Sequence, residues 1–378
     1  MSSGKQPMSN GSYDRSWNGE GSSSGGNNNI DGGGANTNGN GNNPKVGALL
    51  AAGPRLSIQE DDELPSYDDA NSIQSGKTRT PSIHRQEVGT QIYDALEFEY
   101  AFEGANSHKE LVTSVVRHPG SKNTILSIQR LGIGPQRPTL GNPSVFKLDA
   151  VPLPAGQLEV KASSEMGIRS IKIGMLDILE DEPDLQFGTI DWWDKRTASI
   201  TVGTNLEHRF FDRPYSLPPD ILMFLTGFAF KGGSPRRITA TVGGIGQQGF
   251  LPKFLTGPNN TGVLDVRANW ISVPKDHPRF DAGTFEVPPK SSSQHMHFMG
   301  TVCFTRWKFP KKQPPKVFVG FAGFDEEAAR SFRFSVAVTG VSHKGFSWSV
   351  RNWDDVSFNY HWSAVISWIA IANPDQSL

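Results

Sequence analysis

The sequence contains little cysteine, no excess of charge of either sign and no long apolar run. Its single cysteine, Cys303, excludes an internal disulfide framework and is typical of a reducing compartment. A formal net charge of -1 at pH 7 argues against general attraction to nucleic acid or acidic lipid. No stretch approaches the roughly 18 to 20 apolar residues of a membrane span, and the first residues lack the apolar core of a secretory signal. We therefore expect a soluble protein that begins in the cytoplasm.

Patterns that carry catalysis or metal binding are also missing. The one match to the G-x-S-x-G pattern, Gly21 to Gly25, is a Gly-Ser run and not a strained nucleophile turn. The chain has no carboxylate pair at a position that implies a cleft and no lysine-bearing phosphate loop. His295 and His297 have the spacing of two ligands on one strand face, but no third ligand is evident nearby. The sequence therefore predicts a binding protein with no cofactor and no metal, and not an enzyme.

The first 87 residues differ in composition from the rest. Gly, Asn and Ser dominate up to about residue 45, so this part cannot bury enough apolar area to offset the entropy of ordering, and we predict a disordered tail over residues 1–87. An acidic stretch follows, and within it stands Leu64-Pro65-Ser66-Tyr67. This stretch is either a solvated linker or a proline-tyrosine ligand for a WW-domain partner, since extended backbone costs little to order on binding.

The last two-thirds of the chain repeat at a spacing of 96 residues. Three blocks recur at this offset, namely Pro218 to Leu222 with Pro314 to Phe318, Gly227-Phe228 with Gly323-Phe324, and Gly249-Phe250 with Gly345-Phe346. A repeated unit of this length is a domain.

A weaker copy precedes these two. Gly283-Thr284 and Gly188-Thr189 open the two clear units, and Gly89-Thr90 stands 99 residues before Gly188. Ile125 to Ile128 can replace the Pro-Pro strand there, and Gly156-Gln157 the Gly-Phe turn. The predicted modules span 88–184, 185–280 and 281–378, and the alternative is two modules after an unrelated β segment.

Each unit has the pattern of antiparallel β structure. Apolar residues fall on alternate positions from Phe332 to Thr339 and from Arg237 to Val242, as half-buried strands require, and Ala364 to Ile371 is almost continuously apolar. Short strands separated by Gly, Pro and Asn turns, without a convincing amphipathic helix, predict an all-β fold of tandem sandwiches with about six strands each.

The third unit resembles an H-type lectin domain. Five features in order carry the resemblance: the Pro314-Pro315 strand, the alternating strand at Phe332, Gly345-Phe346, Trp353 and the closing Ser367-Trp368-Ile369. The second unit is similar through Gly188-Thr189, Pro218-Pro219 and Trp270-Ile271. The resemblance implies six-stranded sandwiches that assemble in threes and bind galactose or N-acetylgalactosamine near their contacts.

It also implies a sugar pocket with an arginine thirteen residues before the Gly-Phe phenylalanine and an aromatic residue seven after it. In the third module these are Arg333 and Trp353, with Asp354 beside them. Guanidinium groups donate paired hydrogen bonds to hydroxyls, and an indole ring covers the C–H face of a sugar. The alternative is a surface arginine paired with an acid such as Asp354, and a tryptophan that caps the sandwich.

The pocket departs from the family pattern in places. Asp354 stands where snail lectins have histidine, and the loop that should carry a carboxylate, Ser291 to His295, has no acid. The second module keeps Arg237 but has Gly257 at the aromatic position, so it predicts a degenerate second site. We expect one intact site per chain, in a monomer whose three modules form an intramolecular pseudo-trimer. The expected partners are glycans or glycoproteins, and the alternative function is a protein-interaction scaffold on a degenerate lectin fold without sugar binding.

Overall fold

The computed structural model describes residues 90–99, 108–134, 143–179, 182–192, 204–205, 207–232, 234–256, 262–292, 296–305, 309–326, 332–352 and 360–372. The predicted tail and its Leu64–Tyr67 segment lie outside these residues. The described chain is all-β and antiparallel, with one turn of 3-10 helix at Pro154–Gly156. Within it, no helix is long and apolar enough to cross a membrane.

The first eight strands are β1 Gln91–Glu99, β2 His108–Val116, β3 Ser121–Ile133, β4 Ser144–Leu153, β5 Gln157–Leu179, β6 Gln186–Asp191, β7 Thr204–Asn205 and β8 Arg209–Phe210. The remaining ten are β9 Asp220–Phe230, β10 Arg236–Gly243, β11 Gly249–Leu255, β12 Val263–Val273, β13 Phe280–Ser292, β14 Met296–Cys303, β15 Lys316–Glu326, β16 Phe332–Thr339, β17 Gly345–Asn352 and β18 Tyr360–Ile371. We refer to β1–β5, β6–β12 and β13–β18 as modules 1, 2 and 3.

Modules 2 and 3 share one pairing scheme. In module 3, β18 lies between β13 and β15, and β17 lies between β14 and β16. In module 2, β12 lies between β6 and β9, and β11 pairs with β10 on one side and with the short β7 and β8 on the other. Counting β7 and β8 together as the second strand of module 2, each of these two modules is a six-stranded sandwich with sheet orders 1-6-3 and 2-5-4.

Module 1 reaches the same scheme with one strand fewer. The first half of β5 pairs with β2 and β4, whereas its second half pairs with β1 and β3. The change of partners occurs around Gly167, whose φ of 78° is in the left-handed region. One long strand thus serves as both the fifth and the sixth strand, and it turns the sandwich corner without a loop.

A hydrogen bond common to the three modules fixes the end of each sandwich where strands two and four finish. The backbone N–H groups of Arg117, Phe211 and Phe304 each donate to the carbonyl at the start of the fifth strand, all at 2.9 Å, namely to Gly156, Gln248 and Lys344. Next to it, a Cβ on Gly249 or Gly345 would lie 2.1 or 1.9 Å from a carbonyl oxygen of the neighbouring strand. This close approach explains the glycine of the repeated Gly-Phe motif.

The modules are joined edge to edge in a ring. Strand four of each module pairs with strand three of the next, through β4 with β9, β10 with β15, and β16 with β3. The last of these pairings connects module 3 back to module 1, so the ring is closed. Because every junction uses the same two strands, the modules are related by an approximate threefold axis.

A separate apolar core lies around this axis. It is built from equivalent positions of the third and sixth strands, and its members are Ile125, Leu222, Phe318, Leu176, Ile271, Ile369, Ile178, Val273, Ile371 and Phe224, closed by Leu185 and Phe280 at the entrances to modules 2 and 3. All of them are less than 5% exposed. Continuous apolar sequence in the third and sixth strands is thereby explained, because one face packs in the sandwich and the other on the axis.

Candidate functional site

The ring creates three grooves, one at each junction between modules. In each, the outer face of strand four meets the outer face of strands three and six of the next module. We call the junctions of modules 1 with 2, 2 with 3, and 3 with 1 grooves A, B and C. The directly facing residues are Val145 and Ala229 in groove A, Arg237 and Asp325 in groove B, and Arg333 and Gly132 in groove C.

Groove B contains an open cleft of about 210 Å³. Its lining comes from β10, β13, β15 and β18 and consists of Arg237, Thr239, Pro289, Phe324, Asp325, Ser363, Ala364 and Val365. This volume lies below the roughly 300–1,000 Å³ of pockets for drug-sized ligands, so the cleft suits one small unit of a larger ligand.

The polar groups of the cleft are one ion pair and two hydroxyls. The Arg237 guanidinium donates to the Asp325 carboxylate across the strand pair, with side-chain exposures of 37% and 13%. Thr239 and Ser363 stand beside them, and Pro289, Ala364 and Val365 supply apolar surface. The cleft therefore offers donors, acceptors and an apolar wall within a small volume.

Groove A is occupied by charged side chains. Arg267 projects from β12 and forms ion pairs with Asp149 of module 1 and, at 3.3 Å, with Asp191. Lys147 lies 3.6 Å from the same Asp149 carboxylate. Since the facing pair here is Val145 and Ala229, groove A lacks the arginine at the position of Arg237.

Groove C holds the predicted site arginine. Arg333 is only 1% exposed and faces Gly132, whose strand partner in turn is Ser170. Two residues before Gly132 on β3, Arg130 makes a 2.5 Å ion pair with Glu99. Two residues after Ser170 on β5, Lys172 lies 3.0 Å from Asp94. Arg333 is thus buried, whereas a sugar pocket with Arg333 as a contact would have to open to a ligand.

The other predicted site residues have different outcomes. Trp353 and Asp354 lie outside the described residues, so their role in the third module stays a prediction. Phe334 packs on Phe321 with ring centroids 4.2 Å apart, which leaves Arg333 on the opposite face of β16, as the alternation predicted. Arg237, expected to mark a degenerate second site, lines the open cleft.

Of the two histidines with the spacing of metal ligands, His295 lies outside the described residues and His297 lies within them. His297 faces Arg351 on the neighbouring strand. Partial burial, followed by the charge of Arg351, lowers the pKa of His297. In the described part of the chain, no three His, Cys, Asp or Glu side chains come together as metal ligands.

Asp325 is the cleft residue that the sequence pattern missed. The family pattern placed a carboxylate on the loop from Ser291 to His295, whereas in groove B the carboxylate comes from β15. The repeat comparison contains a signal, because Gly227-Phe228 is followed by Ala229 and Gly323-Phe324 by Asp325. A carboxylate at this position in only one copy indicates a local function rather than a requirement of the fold.

Comparison with known families gives one match. Residues 304–371, which belong to module 3, match the model of the H-type lectin domain. Such a domain indicates carbohydrate binding in general and is not catalytic. The chain matches no curated protein and no solved structure.

Proposed function

We propose that this protein is a lectin for galactose- or N-acetylgalactosamine-type glycans and that its accessible binding site is the cleft of groove B. The observation that carries the proposal is the half-buried Arg237–Asp325 pair inside an open cleft at a module junction. Six of the eight lining residues belong to module 3, so the lectin-like module provides most of the site and module 2 adds the arginine.

The chemistry of the cleft suits a sugar. Sugar hydroxyls both donate and accept hydrogen bonds, so neighbouring hydroxyls can accept from Arg237 and donate to Asp325. Pro289, Ala364 and Val365 form an apolar surface for the C–H face of the ring. A cleft of about 210 Å³ is expected to bind one sugar unit weakly.

In addition, we propose that Arg333, Trp353 and Asp354 are the sugar contacts of a module 3 site in groove C, which takes a ligand only when the groove opens, because Arg333 is 1% exposed. We also propose that the three modules are copies of one lectin fold, two clear and the first degenerate. The ring supports this idea, because three copies inside one chain occupy the positions of three protomers.

The test is binding of the full chain to a glycan array and to galactose-agarose, with elution by free sugar. We expect Arg237→Ala to weaken binding at least roughly tenfold, since it removes the guanidinium donor and its ion pair with Asp325. Arg209→Ala is the matched control, because Arg209 is an exposed arginine of the same module outside the cleft.

The variants also separate the two sites. Loss of binding in Arg333→Ala and Trp353→Ala, with Arg237→Ala unaffected, would move the function to module 3 alone. If no glycan on the array binds the folded protein, the lectin function is wrong, and an interaction scaffold on this fold becomes the function to test.

A further inference from the structure

Two aligned positions decide how much space each groove contains. The first, on strand three directly after a β-bulge, is Arg130, Gly227 and Gly323 in modules 1, 2 and 3. The second position lies on strand six, directly opposite the first. It is Lys172 in module 1, Arg267 in module 2 and Val365 in module 3. Both positions lie on the outer face that forms the groove wall.

Among the described residues, groove B has a cleft, and it is the groove in which neither position carries a charged side chain. Groove B has Gly323 and Val365 there. Groove A has Gly227 but is occupied by Arg267, which is held by Asp149. Groove C has basic residues at both positions, Arg130 and Lys172, with Glu99 and Asp94 as their partners.

Groove C nevertheless has equivalents of three residues that line the cleft of groove B. Arg333 stands at the position of Arg237, Ser335 at that of Thr239 and Ser170 at that of Ser363. Groove A has Val145 in place of the arginine, so opening it would not create a sugar site. Of the two occupied grooves, only groove C combines an arginine with these hydroxyls.

An acid is also present in groove C. Glu99, Ser170, Gly132 and Arg333 form one cross-strand row on β1, β5, β3 and β16. In the closed groove, Glu99 is the partner of Arg130. If Arg130 moves away, Glu99 is released on the same row as Arg333 and can accept from a sugar hydroxyl. The Arg130 and Glu99 side chains are 27% and 50% exposed, so the pair is a surface ion pair that holds the groove weakly.

We propose that Arg130 and Lys172 hold the Arg333 site of groove C closed, and that removing both side chains lets groove C bind the same neutral glycans as groove B. This inference rests on the proposed function, because it assigns to groove C the ligand of groove B. Arg130 and Lys172 are therefore residues that set the number of sites in one chain.

The experiment is isothermal titration of the full chain with galactose and with N-acetylgalactosamine. Wild type is expected to bind one sugar per chain, and Arg130→Ala/Lys172→Val two. Adding Arg333→Ala to that double variant should return the number to one, because groove C then lacks its donor. Lys161→Ala is the control for losing a partly exposed, ion-paired lysine of module 1, since Lys161 pairs with Glu110 at 2.7 Å.

A reverse substitution tests the idea without altering module 1. Val365→Arg copies Arg267 into groove B, so we expect it to weaken sugar binding by wild type at least tenfold. The proposal is overturned if the folded double variant still binds one sugar, if wild type already binds two, or if Val365→Arg binds like wild type. Absence of any binding by wild type refutes the proposed function itself, and this second site with it.

Discussion

Three equivalent residues meet on the threefold axis with very different side chains. They are Ser127, Phe224 and Gly320, one from the third strand of each module. A Cβ on Gly320 would lie 2.4 Å from the Ser127 Cβ and 2.9 Å from the Phe224 ring. One large ring thus fills the space that the two small residues leave, and close packing at the axis depends on this asymmetry.

Phe224→Ala should therefore be costly. Phe224 is 0% exposed and packs on Phe318 at 5.2 Å between ring centroids, so truncation leaves a cavity that the other two strands cannot fill. We expect the free energy of unfolding to fall by about 3–5 kcal/mol, measured by denaturant titration. Phe210→Ala, at a phenylalanine 72% exposed, is the control and should change it little. Equal effects at the two positions would contradict an axial core.

At the scale of elements, β5 shows how one strand can replace two. Its 23 residues run through both sheets of module 1, and the bend depends on the left-handed φ of Gly167. In the other two modules, separate strands take these two places, β11 and β12 in module 2 and β17 and β18 in module 3. The weak repeat signal of module 1 agrees with this difference, because one strand in place of two changes the spacing of the residues that follow.

Gly167→Ala is expected to lower the free energy of unfolding by roughly 1–2 kcal/mol, since an L residue is strained at this φ. Thermal or denaturant unfolding measures the change. Gly120→Ala is the control, because a Cβ there would meet only the His118 ring, at 3.7 Å. If Gly167→Ala is as stable as the control, the bend does not depend on glycine.

At the scale of the whole molecule, the two segments between modules contact each other. Arg279, before module 3, pairs with Glu182, before module 2, and His277 lies 3.1 Å from Asp184. The His277 ring also stacks on Phe280, which closes the axial core. These contacts and the β16–β3 pairing hold the ring together at different places.

The ring predicts a monomer of 41.3 kDa in solution, because the strand edges that meet at the junctions are already paired within one chain. Size-exclusion chromatography with light scattering measures the mass. A homotrimer would contradict the prediction.

Removing module 1 is a second test of the closed ring. A chain of residues 185–378 loses the module 1 part of the axial core, and β9 and β16 lose their module 1 partners, β4 and β3. We expect it to self-associate or aggregate, as light scattering would show. A monomer as stable as the full chain would mean that the modules do not support one another.

The sequence by itself determined the class of fold and the position of each motif. Alternation of apolar residues depends only on the period of a strand, so it predicted all-β modules of about six strands, and the Gly-Phe and Pro-Pro blocks marked equivalent places. The resemblance to the H-type lectin domain, which implies an arginine thirteen residues before the Gly-Phe phenylalanine, led to Arg333 and Arg237.

Only the tertiary structure decided what those arginines face. Arg237 meets Asp325 and Arg333 meets Gly132 because the ring pairs strand four of one module with strand three of the next, and in module 3 that partner lies about 200 residues back along the chain. No local pattern specifies such a pairing. Side chains at positions 130, 172, 267 and 365 fill or leave open a groove that exists only after the modules close on one another, so access to each site depends on packing.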